Sequence, residues 1–272
     1  MNENIYKDFE AYGEWSSSFD DAISLAIRKC KSNDHWDENH ITYSWIEAAR
    51  ACAASLSLRN FPRPVAIAWN AFKSGGALET KFGDIAFLVD QTFENGQKLS
   101  GVAFLEAKRN YGSSFDKLDP DQLKTHISNT SSHRLLLYDT ERSATPALFP
   151  AAFPYPHRRH HPFLYEYYRD YLHYSPGHSH ATVIPTQHAL AFASKSRALH
   201  QLSVPLSHQI TGRYFLGQDL DYNQETVTEV RNGGAQVRYL IAVSISFGQA
   251  GDAGAIAVPP GDAYQPFGDN NG

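Results

Sequence analysis

Three side chains in this 272-residue chain have the types and spacing to do chemistry together: Asp84, and then Glu106 and Lys108 further along. Carboxylates are the ligands that hard ions such as Mg²⁺ or Mn²⁺ prefer. A cation held by two of them can neutralise charge on an attacked phosphodiester and activate a water, which is what hydrolysis of that bond requires. Alternation along a strand puts Glu106 and Lys108 on one face, so the ammonium can sit beside a metal ligand and orient or deprotonate the attacking water. Asp84 must then reach the same place from a neighbouring strand. Taken alone, an Asp followed by Glu-x-Lys is a weak signal, because many chains hold one by chance.

The elements around these residues raise its value. Residues 83–93 and 98–109 flank Glu94-Asn95-Gly96, a strong hairpin signal, and both segments are apolar on both faces near their middles, as central strands covered by helices are. Register decides whether the carboxylates meet. A three-residue loop with Gly96 in the left-handed conformation sets Asp84 opposite Glu106 on one face. A two-residue Asn95-Gly96 loop sets Asp84 opposite Ala107 and turns it away unless a bulge intervenes. The metal-centred chemistry requires the first.

Upstream, apolar periodicity predicts helices over about 17–31 and about 42–57, the second opening at Thr42 as N-cap and carrying Glu47 and Arg50 on one face. The Pro62 and Pro64 pair then leads into a strand-like run, 65–72. Downstream, Asp119 can cap a helix whose first residue is Pro120 and which carries Gln122, and 133–138 reads as a strand. A helix linking two strands implies a parallel crossover, hence an α/β fold with a mixed sheet. Residues 146–180, punctuated by proline and crowded with Tyr, Phe and His, read as an irregular insertion. A helical pattern resumes over 186–202, and 236–247 alternates as a long strand with one well-buried face. The expectation is a single domain over 1–247, with 248–272 a Gly- and Pro-rich acidic tail, flexible or serving to dock a partner.

This arrangement resembles the PD-(D/E)XK, or restriction-endonuclease-like, nuclease superfamily, whose members place an Asp at the start of one strand and Glu-x-Lys on the next. The resemblance covers about 42–140 and rests on Gly83-Asp84 and Glu106-Ala107-Lys108; Gly83 stands where Pro is common. It implies an α-β-β-β-α-β core with a mixed central sheet flanked by helices. It also implies a Mg²⁺- or Mn²⁺-dependent deoxyribonuclease in which Asp84 and Glu106 bind the metal, Lys108 aids the attacking water and Gln122 orients substrate. In some branches an upstream helix adds a metal-binding Glu, which Glu47 matches, and a downstream helix carries Gln-x-x-x-Tyr, here Gln122 with His126 in place of Tyr. Proteins of this size in the superfamily are often bacterial anti-phage or restriction effectors, which implies a protein partner from the same system.

Charge and composition bound these readings. Net charge is −5, from 29 acidic and 24 basic residues, which argues against tight non-specific binding to nucleic acid. The excess lies wholly in residues 1–50, so a metal-loaded cleft elsewhere can still be locally positive. Arg109, with Arg158, Arg159, Tyr167 and Tyr168 of the aromatic segment, could track phosphates and stack on bases; a loop packed by its own aromatics, or a protein interface, explains that segment equally well. His157, His160, His161, His173, His178 and His180 lack the spacing of a zinc site, and His35, Asp37, Glu38 and His40 read as a solvated turn. Cys30 and Cys52 suit two buried reduced thiols. No leader or membrane span is apparent, which points to the cytoplasm. The rival to a nuclease is a catalytically silent nuclease fold serving as a binding or assembly module. DNA against RNA, end-directed against internal cutting, and monomer against homo-oligomer all stay open.

Overall fold

The computed structural model describes residues 3–52, 54–60, 64–75, 81–115, 118–144, 178–192, 195–248 and 263–267. Helix α1 (Glu3–Ser32) begins well before the expected boundary. It buries Trp15, Phe19, Ile23, Ile27 and Cys30, a stripe at helical spacing. Helix α2 (Glu38–Arg50) starts four residues earlier than expected because Asp37, not Thr42, is its cap: the Asp37 carboxylate accepts from the amides of Asn39 and His40. Thr42 is interior and buried, where its hydroxyl donates to the Glu38 carbonyl and pairs with the Tyr138 hydroxyl. The helix stops at Arg50 rather than running to 57, since Ser55–Leu58 pairs as strand β1 with β2 (Val65–Ser74).

The functional hairpin is β3 (Ile85–Thr92) and β4 (Lys98–Arg109), followed by α3 (Pro120–Asn129) and β5 (His133–Ala144). As expected, Asp119 caps α3, and β4 and β5 run parallel across that helix. After the undescribed segment 145–177 come β6 (His178–Pro185), α4 (Thr186–Phe192), a 3₁₀ turn at Arg197–Leu202 and β7 (Val204–Pro205). The expected helix over 186–202 is thus broken in two. Helices α5 (Leu206–Gly212) and α6 (Gln224–Arg231), strand β8 (Tyr239–Phe247) and β9 (Tyr264–Pro266) complete the described chain.

The result is an α/β protein with a mixed sheet in the order β1-β2-β8-β3-β4-β5-β6-β7, with β9 beside β1 on β2. Strand β8 enters between β2 and β3, antiparallel to the first and parallel to the second. The three strands read as consecutive in the chain are therefore not consecutive in the sheet. It also explains why β8 is buried on both faces rather than one. On one face β3 and β4 send Ile85, Phe87, Ala103 and Leu105 against α1 and α2. On the other, Ala86, Leu88, Val102 and Phe104 pack with Val227 and Val230 of α6. Beside them, Leu135 and Leu137 of β5 meet Leu123 of α3 and Ala189 of α4. The end of the expected tail is part of the fold: Tyr264 and Phe267 are buried, and β9 pairs with β2. No helix among the described residues is long and apolar enough to cross a membrane.

Candidate active site

The hairpin adopts the register the chemistry needs. Gly96 has φ +79°, its amide donates to the Phe93 carbonyl (2.8 Å), and the Phe93 amide donates to the Gln97 carbonyl (2.8 Å). This is a three-residue loop with glycine in the left-handed region, where an L side chain is disfavoured. Ile85, the first residue of β3, pairs with Leu105, so the same register carried one residue beyond the strand sets Asp84 opposite Glu106. Alternation then puts Asp84, Glu106 and Lys108 on the face of Ala86 and Phe104, one step beyond the apolar cluster under α6.

Gly83 makes that placement possible. Its φ is +111°, and a Cβ there would lie 2.9 Å from the Leu105 carbonyl oxygen and 3.2 Å from His133 Nε2. Proline, with φ fixed near −65°, cannot occupy this position. The turn brings the Asp84 amide to the Leu105 carbonyl (2.9 Å), while Asp84 Oδ2 accepts the Ala107 amide (2.9 Å). Burial first, and then the Glu106 charge, raise the Asp84 carboxyl to about 6 against the opposing pull of the Ala107 amide, Lys108 and Arg238.

Glu106 is 3% exposed and its two oxygens are treated differently. Oε1 accepts from Lys108 Nζ at 2.6 Å and from Gln122 Nε2 at 3.3 Å. Oε2 has no hydrogen-bond partner; His126 Nε2, which is also unpartnered, lies 3.7 Å from it. Burial works to lower the Lys108 ammonium, but Glu106, with Glu38 and Asp84 behind it, reverses this and holds it above its usual value. In the metal-free protein Lys108 is therefore a cation and a donor. His126 is pushed down, first by burial and then by the Lys108 charge. Its ring stacks on His133 with centroids 4.8 Å apart, and burial drives His133 down to about 3.

The expected upstream carboxylate is replaced by another. Glu47 is exposed, whereas Glu38 on the first turn of α2 accepts the Arg109 amide at 3.1 Å and acts on Lys108. Nine helical residues separate the two, half a turn in phase, so both cannot face β4. Glu38 was legible only as part of the turn assigned to solvent. His126 stood in the sequence solely as a departure from a tyrosine pattern. Arg109 is half-buried with its guanidinium 4.2 Å over the Tyr111 ring. Arg158, Arg159, Tyr167 and Tyr168 lie outside the described residues, as do the histidines from 157 to 173. Asp90 is taken by Arg231 (2.6 Å), and His180 is buried with Nδ1 3.1 Å from the Asp139 carbonyl. Both cysteines are free, Cys30 buried and Cys52 half-buried.

The chain matches no protein-family model, no curated protein and no solved structure. The site is thus read from its own geometry. Among the described residues no three His, Cys, Asp or Glu side chains converge into a ready-made metal cage. What is present is a facing carboxylate pair with one orphaned, buried oxygen. That fits an ion such as Mg²⁺, which keeps several waters and takes only one or two protein carboxylates. A cation would also relieve the mutual repulsion that raises Asp84.

Proposed function

We propose that this chain is a divalent-metal-dependent phosphodiester hydrolase of the PD-(D/E)XK type, acting on DNA. One observation carries the reading: Lys108 Nζ is bonded to Glu106 on β4, and Asp84, one residue before β3, reaches that strand at the next residue, its carboxylate accepting the Ala107 amide. The order of elements, α2-β1-β2-β3-β4-α3-β5, resembles that core along the chain with one strand more, β1, and with β8 inserted between β2 and β3 in the sheet.

Asp84 and Glu106 would hold Mg²⁺ or Mn²⁺. Such an ion supplies a Lewis acid for the phosphate and lowers the pKa of a bound water. Lys108, kept protonated by Glu106, positions the attacking water by donating to it and stabilises negative charge building on the phosphate. It does not take the proton. Gln122 fixes the Glu106 carboxylate from α3 and leaves its second amide hydrogen for substrate. Glu38 sits behind Lys108 and, by its charge, keeps that ammonium protonated. The net charge of −5 favours action in company with a partner that brings the substrate, as in a restriction or anti-phage system.

Purified protein incubated with linear, circular and single-stranded DNA, and with RNA, tests this in the presence of Mg²⁺ or Mn²⁺ and of a chelator. The expected result is metal-dependent cutting of DNA that Lys108→Ala slows by on the order of 10²–10³-fold. Cutting by Lys108→Ala at the wild-type rate ends the reading.

A further inference from the structure

We infer that His126 is a metal ligand through Nε2, so that the site takes one nitrogen donor beside its carboxylates and prefers Mn²⁺, or another imidazole-tolerant first-row ion, to Mg²⁺. This rests on the proposal that Asp84 and Glu106 hold a divalent cation.

The geometry points there in three steps. His126 Nδ1 lies 2.9 Å from the Lys81 carbonyl oxygen. A carbonyl only accepts, so Nδ1 carries the hydrogen, and in the neutral ring Nε2 is left as a bare lone pair. That lone pair faces Glu106 Oε2 at 3.7 Å, and neither atom has any hydrogen-bond partner although both are buried. Two buried acceptors at this distance make a costly arrangement that a shared cation resolves.

The surroundings hold the ring as a ligand is held. A metal-binding histidine usually donates its other ring N–H to a backbone carbonyl or a carboxylate, which fixes the tautomer and aims the free nitrogen; Lys81 does this here. His133 stacks on the imidazole at an interplanar angle of 20° and is itself anchored to Thr186 Oγ1 at 2.7 Å. Gln122 and His126 stand four residues apart on α3, one turn of helix, so a single helix face presents an amide to Oε1 and an imidazole to Oε2. Imidazole suits the middle first-row ions, whereas Mg²⁺ takes oxygen.

The rival is a proton shared between His126 and Glu106 as an imidazolium–carboxylate pair. Mn²⁺ titration with pulsed electron paramagnetic resonance on the full chain separates the two. The expected result is nitrogen modulation from a directly bound imidazole, altered by selective ¹⁵N-histidine labelling, lost in His126→Gln and retained in His133→Gln. His126→Gln should still bind Mn²⁺, on the order of 10-fold more weakly. The wild type should bind Mn²⁺ at least about 10-fold more tightly than Mg²⁺. Mn²⁺ bound by the wild type without nitrogen modulation, or modulation that survives His126→Gln, overturns the inference and leaves the carboxylate site standing. No Mn²⁺ binding by the wild type overturns both. Labelling tests the wild type directly, so a poorly folding variant does not block the experiment.

Discussion

Two buried carboxylate groups sit on adjacent strands, and they are built in opposite ways. Asp139 of β5 is fully enclosed. Its Oδ2 accepts from Arg197 Nε (2.7 Å), Asn110 Nδ2 (2.9 Å) and His200 Nε2 (3.2 Å), and its Oδ1 from the Glu141 amide (2.9 Å). Burial alone would raise it, yet those donors pull it down to about 2. Asp84 and Glu106 have a like charge for a neighbour, one orphaned oxygen and one carboxyl raised to about 6. A group whose every lone pair is used has nothing left for a substrate. A group that repels itself is waiting for a cation, so the contrast separates an internal strut from a working site.

The largest expected effects test that division directly. Asp139→Ala strands Arg197 and His200 around an empty acceptor and should cost about 3–5 kcal/mol in a urea or thermal unfolding series. Asp84→Asn should cost no stability at neutral pH, yet abolish Mn²⁺ binding and lower cutting by at least about 10³-fold. If Asp84→Asn unfolds the chain as Asp139→Ala does, the two clusters are the same kind of object and the distinction fails.

Backbone at the site should be next in size. Gly83→Ala puts a Cβ against the Leu105 carbonyl at a φ of +111°, and about 2–3 kcal/mol of destabilisation is expected. Gly96→Ala meets nothing within 4 Å and pays only for its φ of +79°, about 1 kcal/mol. Chemical denaturation of the two variants measures the difference. Equal losses would mean that Gly83 is merely a turn residue and not what lets Asp84 approach β4.

The contrast between local and distant determinants also marks what the sequence could disclose. The hairpin loop and the capped helix α3 were legible because Asn95-Gly96 and Asp119-Pro120 act within a few residues of themselves; the register stayed open between two loop lengths, which only the chemistry distinguished. Placement of β8 was not, since pairing between residue 85 and residue 239 leaves no local trace. The same holds for β9, whose Tyr264 and Phe267 sit in a stretch whose composition reads as a tail. Thr42, itself a good cap, starts helix α2 too late along the chain, and that boundary error leaves Glu38, on its true first turn, among residues assigned to a solvated turn. His126 was hidden by chemistry rather than distance: a histidine in place of a tyrosine looks like decay until its free nitrogen is seen facing Glu106.

Opposite construction gives opposite pH behaviour. Asp139 has its folded value depressed to about 2, so its stabilisation is complete above its unfolded value and is lost as pH falls from about 4 through 2. Asp84 has its folded value raised to about 6, so its stabilisation is complete below its unfolded value and is lost as pH rises from about 4 through 6. In the metal-free protein, Asp84→Asn should therefore gain stability above pH 6, on the order of 1–2 kcal/mol after allowing for its partial solvent contact. Metal binds the ionised carboxylate, so Mn²⁺ affinity should climb over the same window in the wild type. A stability profile that Asp84→Asn leaves unchanged between pH 4 and 7 would show that the carboxyl is not strained.

The smallest effects lie at the edge of the site, where Glu38 and Glu47 give a comparison within one helix. Glu38 accepts the Arg109 amide and acts on Lys108 through its charge, so Glu38→Gln keeps the hydrogen bond but removes a charge that holds the ammonium protonated. At the order of 1 kcal/mol for a partly screened charge, cutting should fall roughly five-fold, with the loss growing as pH rises toward the range where Lys108 can release its proton. Glu47 is exposed half a turn away, and Glu47→Gln should leave rate, metal affinity and stability unchanged. If instead Glu47→Gln weakens Mn²⁺ binding and Glu38→Gln does not, α2 must rotate on metal binding, and the distinction between a finished cluster and an unfinished one would extend from side chains to the helix that carries them.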